Sequence, residues 1–292
     1  MRAKIRCDQR ADPMTLESIP LRSTFVTFMF GQTPKRLFKM CSTLSALSAV
    51  PAIRKHAPRH TSWPYSTADF ERHDPTPDPE FYEYPRLVTH IDDNAISTLQ
   101  RYYAETLPQS LPPAGQGRML DFCSSWISHY PETIQESVKR GTLEVVGMGM
   151  NKPELDANTL LTKRIVQDLN ADPNIPELGR IDAATCVVSI DYLTQPLQVL
   201  DSIRKQMGPG ATVHLVISNR CFPTKVVKRW LNITEAQRLE MVGDYLSFAG
   251  YENVEILTLC DGWADVPEGH YRHGEKMRVD PLWVVRGSAG GA

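Results

Sequence analysis

The clearest alternation of apolar and polar positions in this chain lies between residues 181 and 219. A run of small, apolar and β-branched residues from Ala184 to Ile190 has the length of one strand, and its continuous apolar character is typical of a strand covered on both faces. Apolar residues then recur at helical spacing, at Leu193, Leu197, Leu200, Ile203 and Met207. The sequence GPG at 208–210 predicts the end of that helix, before the apolar run ATVHLVIS. The pattern therefore predicts one β-α-β unit of a parallel sheet.

Further apolar runs extend this alternation in both directions. Strands are predicted at 119–123, 143–149 and 164–169, with a helix after the first of them. Two helices and a last pair of strands are predicted downstream of residue 219. Upstream, Asp92 or Asp93 is expected to cap a helix whose apolar stripe contains Ile96, Leu99, Tyr103 and Leu107. The order of elements predicts an α/β fold with a doubly wound sheet.

The N-terminal part of the chain differs in composition from the remainder. Between Glu17 and Asp69 there is no acidic residue, while Lys, Arg, Ser and Thr are frequent. Residues 1–65 are therefore interpreted as an extension that is either disordered or an organellar targeting segment, with Met40 as a possible alternative start. We expect a cytoplasmic protein, or a mitochondrial or plastid one if the extension is a transit peptide. Residues 66–117 are predicted to form a Pro-rich, aromatic strap and a helix. Residues 118–288 are predicted to form the main domain.

Composition excludes several classes of partner. The 292 residues carry a formal net charge of −2, so a nucleic-acid partner is not expected. No apolar run approaches the roughly 20 residues of a membrane span. The six cysteines contain no CxxC pair, which argues against a disulfide framework or a zinc site. His270 and His273 lie in a polar loop that is interpreted as a solvated hairpin, so no metal is expected. A small molecule remains the expected substrate.

The unit at 181–219, with its helix PLQVLDSIR and its GPG turn, resembles the second half of class I S-adenosylmethionine-dependent methyltransferases of the type 11-like group. The resemblance covers roughly residues 81–286. It implies a Rossmann-like sheet of seven strands with the last one antiparallel, S-adenosylmethionine as the cofactor, and transfer of a methyl group to an acceptor that the sequence does not identify.

The first strand-to-helix loop departs from the pattern of that family. By resemblance, Asp121 is the acid at the end of the first strand, and the loop that follows it approaches the cofactor. Here this loop begins with Phe122, Cys123 and Ser124 and contains no glycine, so it is degenerate. Small hydroxyl side chains and backbone N–H groups can still donate hydrogen bonds to a carboxylate.

The ends of the later strands carry the other residues that the resemblance assigns to the cofactor. Gly147 in the second strand is a cofactor candidate, and after it Gly149 and Asn151 stand where the family has an acid that binds the ribose, with Glu154 a turn later as the fallback acid. Asp168, Leu169 and Asn170 match the turn that holds the adenine, with the carboxylate as acceptor and the next N–H as donor. Ser189 follows the fourth strand at the same edge of the sheet.

The methyl acceptor is expected at the same edge. Asp191 is the candidate for a catalytic base or an orienting group, and Tyr192 is expected to line the acceptor pocket. An equally weighted interpretation makes Asp191 the N-cap of the helix near Thr194. Arg86 and His90 in the strap are expected near the methionine end of the cofactor, and His129 near the acceptor.

Two alternatives remain open from the sequence. The degenerate loop and the absent ribose acid are compatible with a catalytically weak or inactive methyltransferase-like protein that serves as a binding or regulatory module. Separately, Gly147-x-Gly149 after a strand suggests an NAD(P)-dependent Rossmann oxidoreductase, although the third glycine of that fingerprint is absent.

Overall fold

The computed structural model describes residues 5–6, 51–107, 116–266 and 268–290. Ten strands are labelled here in chain order. They are β1 (Ala52–Lys55), β2 (Gly117–Phe122), β3 (Leu143–Gly149), β4 (Lys163–Val166), β5 (Ile181–Val187), β6 (Met207–Ile217), β7 (Tyr251–Cys260), β8 (Trp263–Asp265), β9 (Lys276–Arg278) and β10 (Leu282–Ala289). Two further short segments, Ile5–Arg6 and Arg220–Cys221, pair antiparallel with each other.

Eight of these strands form one sheet in the order β1-β7-β10-β6-β5-β2-β3-β4. Strands β2 to β6 are mutually parallel, whereas β10 is inserted antiparallel between β6 and β7. The predicted doubly wound, Rossmann-like α/β sheet with a last antiparallel strand is confirmed. It has one strand more than the seven expected, because β1 pairs with β7 at the edge.

Helices cover both faces of the sheet. They are α1 (Asp78–Phe81), α2 (Asp93–Thr106), α3 (Glu132–Lys139), α4 (Lys152–Ala157), α5 (Pro196–Arg204), α6 (Lys228–Asn232) and α7 (Glu235–Phe248). Neighbouring residues of β2 face opposite sides, so that Leu120 packs in the core beneath α5 and α7, and Met119 in the core beneath α2 and α3. Two buried cores account for the continuous apolar runs in the central strands. No helix in the described residues is long and apolar enough to cross a membrane.

Helix ends follow local chemistry where the sequence supplies a cap. The Asp92 carboxylate accepts a hydrogen bond from Ala95 N at the start of α2, as expected. Thr234 and Gln237 form a capping box at the start of α7. The GPG segment behaves differently from the prediction. Helix α5 ends earlier, at Arg204, and residues 208–210 belong to β6, where Gly210 adopts φ +75° in the irregular stretch between the paired residues Met207 and Thr212.

Residues 51–65, which composition assigned to the N-terminal extension, belong to the sheet domain instead. His56 follows β1, and its two ring nitrogens lie 2.9 Å from Glu240 Oε2 and 3.0 Å from Asp244 Oδ1 of α7. Tyr65 donates a hydrogen bond to the second oxygen of Asp244. The basic composition of this segment hid these contacts, because its partners are acids that lie far away in sequence. The predicted extension upstream of residue 51 lies outside the described residues, apart from Ile5–Arg6.

Three cysteines of the described chain, Cys123, Cys186 and Cys260, are free thiols. Cys221 is disulfide-bonded. The sequence argued against a disulfide framework and gave no indication of this single bond.

Candidate functional site

A cleft lies at the carboxyl ends of the central parallel strands. Chain order reverses between β2 and its neighbour β5, which is the switch point at which open α/β sheets bind ligands. Ser124 after β2, Asp168 after β4 and Ser189 after β5 all line the cleft. The cleft encloses about 800 Å³, part of it open to solvent.

The strap, residues 66–91, forms the wall opposite the strand ends. The Asn151 side-chain amide donates to the carbonyl oxygens of Tyr82 and Glu83 at 2.8 and 3.0 Å. The Arg86 backbone N–H donates to Glu154 Oε1 at 2.6 Å, so residues 82–86 of the strap are tied to the start of α4. The strap therefore packs as part of the site.

A buried lysine anchors the strap from its other side. The side chain of Lys225 is fully buried, and its ammonium nitrogen lies 3.4 Å from Asp78 Oδ1. It also donates to the backbone carbonyl of Thr76. Arg72 Nη1 binds the same Asp78 carboxylate at 2.7 Å. Because Asp78 lines the cleft, this cluster fixes one wall of the site.

Asp121 is placed beneath the loop that follows β2, and it does not line the cleft. Ser124 Oγ and Ser128 Oγ each donate to its carboxylate at 2.7 Å, and Thr185 Oγ1 lies at 3.4 Å. Burial raises the pKa of Asp121 to about 6, although the three hydroxyl groups act in the opposite direction. The predicted role at the cofactor is thus replaced by a structural one, in which Asp121 organises the loop.

The loop without glycine lies against the end of β3. Ser124 N donates to Met148 O at 2.7 Å, and a Cβ at Gly149 would lie 2.1 Å from Ser124 O. Because Gly149 in β3 has no side chain, the backbone of the loop can approach this strand even though the loop itself contains no glycine. Gly147 lies in β3 and is covered by the side chain of Leu161, whereas Phe122 is buried in the core. Neither Gly147 nor Phe122 lines the cleft. Gly147 and Gly149 form no phosphate-binding turn of the kind that a dinucleotide fold requires.

Both candidate ribose ligands are engaged by the protein itself. Asn151 caps α4 through its side-chain oxygen, which accepts from Glu154 N, and its amide nitrogen binds the strap. Glu154 accepts from Arg86 N and, at 2.7 Å, from Ser125 Oγ. Both residues line the cleft, but their hydrogen bonds connect the loop, α4 and the strap.

The Asp168 turn retains free hydrogen-bonding groups. Asp168 Oδ1 accepts from Asn170 N at 2.9 Å and from Ala171 N at 3.2 Å. Its second carboxylate oxygen and the N–H of Leu169 make no hydrogen bond to the described part of the chain. Asn170 is fixed by Asp78 and by Thr194, whose backbone N donates at 2.7 Å. The turn thus presents one acceptor beside one donor in the cleft.

Arg86 presents a further free donor. Its guanidinium packs over the ring of Phe81 at 4.7 Å and over that of Phe222 at 5.4 Å. Nη2 donates to Phe81 O at 2.9 Å. Nη1 is shielded from solvent and has no hydrogen-bond partner among the described residues, although Arg86 lines the cleft. A buried donor of this kind favours an anionic ligand group.

The two residues predicted to act on the acceptor are separated by the structure. Tyr192 lines the cleft, where its hydroxyl accepts from Phe222 N at 2.8 Å, and burial raises its pKa. Asp191 is buried and does not line the cleft. It is not the cap of α5 either, since that helix begins at Pro196 after Gln195. Both predicted roles for Asp191 are therefore unsupported by its position.

Most of the predicted cofactor residues meet in the cleft. They are Cys123, Ser124, Asn151, Glu154, Asp168, Leu169, Asn170 and Ser189. Asp78 and Phe222 also line the cleft and were not predicted from the sequence. Asp78 lies in a Pro-rich segment with no motif, and Phe222 lies beyond the polar strand end, so neither carried a signal.

The residues present fit S-adenosylmethionine at its two ends. The free acceptor and donor of the Asp168 turn match the amino group and ring nitrogen of adenine. The free Nη1 of Arg86 matches a carboxylate. The ribose would meet Asn151 and Glu154, whose polar atoms already have partners.

Comparison with known proteins bears on the fold. No protein-family model matches the sequence, and no curated protein matches it. Among solved structures, a chain of the complex containing the Haloferax volcanii Trm112 methyltransferase activator is 12% identical, with a TM-score of 0.43, over 73% of this chain and 94% of that one. A methyltransferase from Archaeoglobus fulgidus is 10% identical, with a TM-score of 0.40, over 66% and 94%. The [4+2]-cyclase SpnF is 13% identical, with a TM-score of 0.42, over 66% and 82%.

These similarities are too remote to assign a reaction. The sheet itself is more informative, because five parallel strands with a reversal between β2 and β5, followed by an antiparallel β10 inserted beside β6, reproduce the arrangement that the sequence resemblance implied. The chain has the fold of the class I S-adenosylmethionine-dependent methyltransferases.

Proposed function

We propose that the protein is an S-adenosylmethionine-dependent methyltransferase that acts on a small-molecule acceptor. The observation that carries the proposal is the Asp168 turn. Asp168 and Leu169, whose second carboxylate oxygen and backbone N–H have no partner in the described part of the chain, line the cleft at the switch point of the sheet. This pair is suited to an adenine edge, which offers an amino group beside a ring nitrogen.

The chain's own residues would divide the work as follows. Asp168 and Leu169 would bind the adenine, and Arg86 would bind the carboxylate at the other end of the ligand. The strap, held by Lys225 and Asn151, would keep water out of the cleft. The cofactor, when bound, supplies a methyl group that is already activated on a sulfonium sulfur. The main tasks left to the protein are orientation and desolvation.

The test is calorimetric titration of the full chain with S-adenosylhomocysteine. Asp168→Asn retains the oxygen that caps the turn but replaces the free acceptor with a donor. Asp172→Asn is the matched control, because Asp172 accepts from Asn174 N in the same way and does not line the cleft. We expect Asp168→Asn to weaken binding about tenfold, as for the loss of a hydrogen bond that leaves a mismatched donor, and Asp172→Asn to leave it unchanged.

Wild-type protein that does not bind S-adenosylhomocysteine would overturn the proposal. NADH is titrated in parallel, since tight NADH binding would favour the oxidoreductase alternative.

One observation favours a second candidate, a methyltransferase-like binding or regulatory protein. Asn151 and Glu154 already form hydrogen bonds with the strap and the loop, so neither would contribute much binding free energy to a ribose. Under this candidate S-adenosylhomocysteine binds weakly or not at all, and the Asp168→Asn variant behaves as the wild type.

A further inference from the structure

A second cavity adjoins the cleft on the side of the β2 loop. Its walls come from three segments, residues 88–91 of the strap, residues 121–129 in and after β2, and residues 187–189 at the end of β5. His90, Cys123, Ser124, Ser125 and Ser189 line both spaces, so the two share a wall. The proposed cofactor cleft therefore opens beside a smaller pocket that the cofactor residues do not explain.

His129 is the unexplained polar group of this second cavity. His129 is 8% exposed, and its Nδ1 atom is buried without a hydrogen-bond partner among the described residues. No hydrogen bond to either ring nitrogen is present in the described part of the chain. Buried polar atoms normally have partners, and an isolated one indicates a ligand or a bound water. Burial lowers the pKa of His129 to about 4, so the ring is neutral at neutral pH.

The other walls define what the cavity can accept. No Lys, Arg or Glu lines it. Its single carboxyl group, Asp121, is occupied by three hydroxyl groups. Trp126, Ile127, Val187 and Val188 supply an apolar surface. Apart from Asp121 and the two imidazoles of His90 and His129, the wall has no acidic or basic side chain that could compensate a charged ligand for its lost hydration.

The backbone is also strained around this cavity. Cys123, His129 and Val188 have φ values of 54°, 53° and 42°, in the left-handed region that L-residues rarely adopt, and all three line it. Such strain is retained when the surrounding structure fixes a side chain in a required position.

We propose that the second cavity binds the methyl acceptor, and that the acceptor is a small, uncharged, largely apolar molecule whose O–H or N–H group hydrogen bonds to the imidazole of His129. This inference rests on the proposed function. On transfer, the acceptor oxygen or nitrogen forms the bond to the methyl carbon. The carbon–sulfur bond breaks with its electron pair on sulfur, and the acceptor proton is released to water.

The test uses four probes of similar size on the full chain saturated with S-adenosylhomocysteine. Benzyl alcohol is neutral with a donor, toluene has no donor, and benzoate and benzylammonium are charged. We expect benzyl alcohol to bind at least about fivefold more tightly than the other three, the effect of one hydrogen bond or of an unpaired charge. Equal binding of a charged probe would overturn the inference.

Two variants of nearly equal shape assign the hydrogen bond. His129→Asn places a polar atom near the position of Nδ1 and tolerates a positive φ, whereas His129→Leu has no polar atom. We expect the Asn variant to bind benzyl alcohol within about twofold of the wild type and the Leu variant about fivefold more weakly. If the Leu variant does not fold, ¹⁵N shifts of the His129 ring in the wild type, on titration with benzyl alcohol, report the same contact. Affinity that is unchanged in the Leu variant, or unmoved ring shifts, would overturn the inference.

The design separates this inference from the proposed function. Binding of S-adenosylhomocysteine without binding of benzyl alcohol refutes the acceptor pocket alone. Mutual exclusion of the two ligands also refutes it, because the second cavity would then belong to the cofactor site. Absence of S-adenosylhomocysteine binding refutes the proposed function itself, and with it the role of the cavity as an acceptor pocket.

Discussion

A Cβ atom added at Gly149 would lie 2.1 Å from the carbonyl oxygen of Ser124, a separation that real structures do not tolerate. The absence of a side chain at Gly149 in β3 therefore lets the backbone at Ser124 lie directly against this strand. This relationship explains how a loop of Cys, Ser and Trp can lie at the switch point of the sheet.

Gly149→Ala is therefore expected to displace the 123–126 loop. Overpacking against backbone should lower the free energy of unfolding by about 2 kcal/mol. Gly208→Ala is the control, since its Cβ would meet only the flexible side chain of Arg180, and it should change stability by less than about 0.5 kcal/mol. Urea unfolding measures both. Equal stability of the two variants would show that the loop is not held by this contact.

Arg86 is expected to bind only one end of the cofactor. Arg86→Met removes the free Nη1 donor and should weaken S-adenosylhomocysteine binding by about 1.5–3 kcal/mol, roughly 10- to 100-fold. Adenosine, which lacks the amino-acid moiety, should bind the variant and the wild type alike. Calorimetry with both ligands tests this directly. A parallel loss of adenosine affinity would mean that Arg86 acts through the packing of Phe81 and Phe222 instead.

Substitutions of Lys225 and Lys228 can be compared to test how the strap is held in place. Both contact acids in the strap, but Lys225 is fully buried against Asp78, whereas Lys228 lies half-exposed, 3.7 Å from Glu71. Lys225→Met leaves part of a buried carboxylate uncompensated and should cost about 3 kcal/mol. Lys228→Met should cost under about 1 kcal/mol.

Limited proteolysis reports where the Lys225→Met variant opens. We expect new cleavage within residues 71–91, because the strap loses its anchor while the sheet remains folded. Cleavage elsewhere, or none, would show that the strap is held by Asn151 and Glu154 alone.

Acid stability should depend on His214. Its ring lies between Tyr102 Oη at 2.7 Å and Thr212 Oγ1 at 2.9 Å, and burial, with Arg286 nearby, lowers its pKa from 6.5 to about 3. Below pH 6.5 the unfolded chain binds a proton that the folded chain does not. The contribution of the neutral His214 ring to the free energy of unfolding is therefore complete above pH 6.5. It is lost as the pH falls toward 3, by up to roughly 5 kcal/mol.

Unfolding free energies measured from pH 7 to pH 4 test this. His214→Gln should show a flatter dependence on pH than the wild type. The exposed His270→Gln serves as the control and should follow the wild-type curve. An unchanged slope in His214→Gln would contradict the burial of a neutral imidazole at this position.

The sequence by itself determined the sheet domain and the edge of the sheet at which its polar residues meet. Continuous apolar runs predict buried parallel strands, and the polar residues that follow them must meet at one edge, because parallel strands end together. Asp168, Leu169 and Ser189, which strand pattern and family resemblance together pointed to, all line the cleft. The caps at Asp92 and Thr234 were equally readable, since they depend on residues only three positions apart.

Only the tertiary structure decided which of those polar atoms are free. Asn151 and Glu154 are occupied by a strap some seventy residues away, and Asp121 by hydroxyl groups of which one is on another strand. The unpartnered Arg86 Nη1 and His129 Nδ1 depend on how three segments pack around them. Hydrogen-bond satisfaction is a property of contacts between distant segments, whereas a pattern along the chain records only which face of its own element each residue occupies.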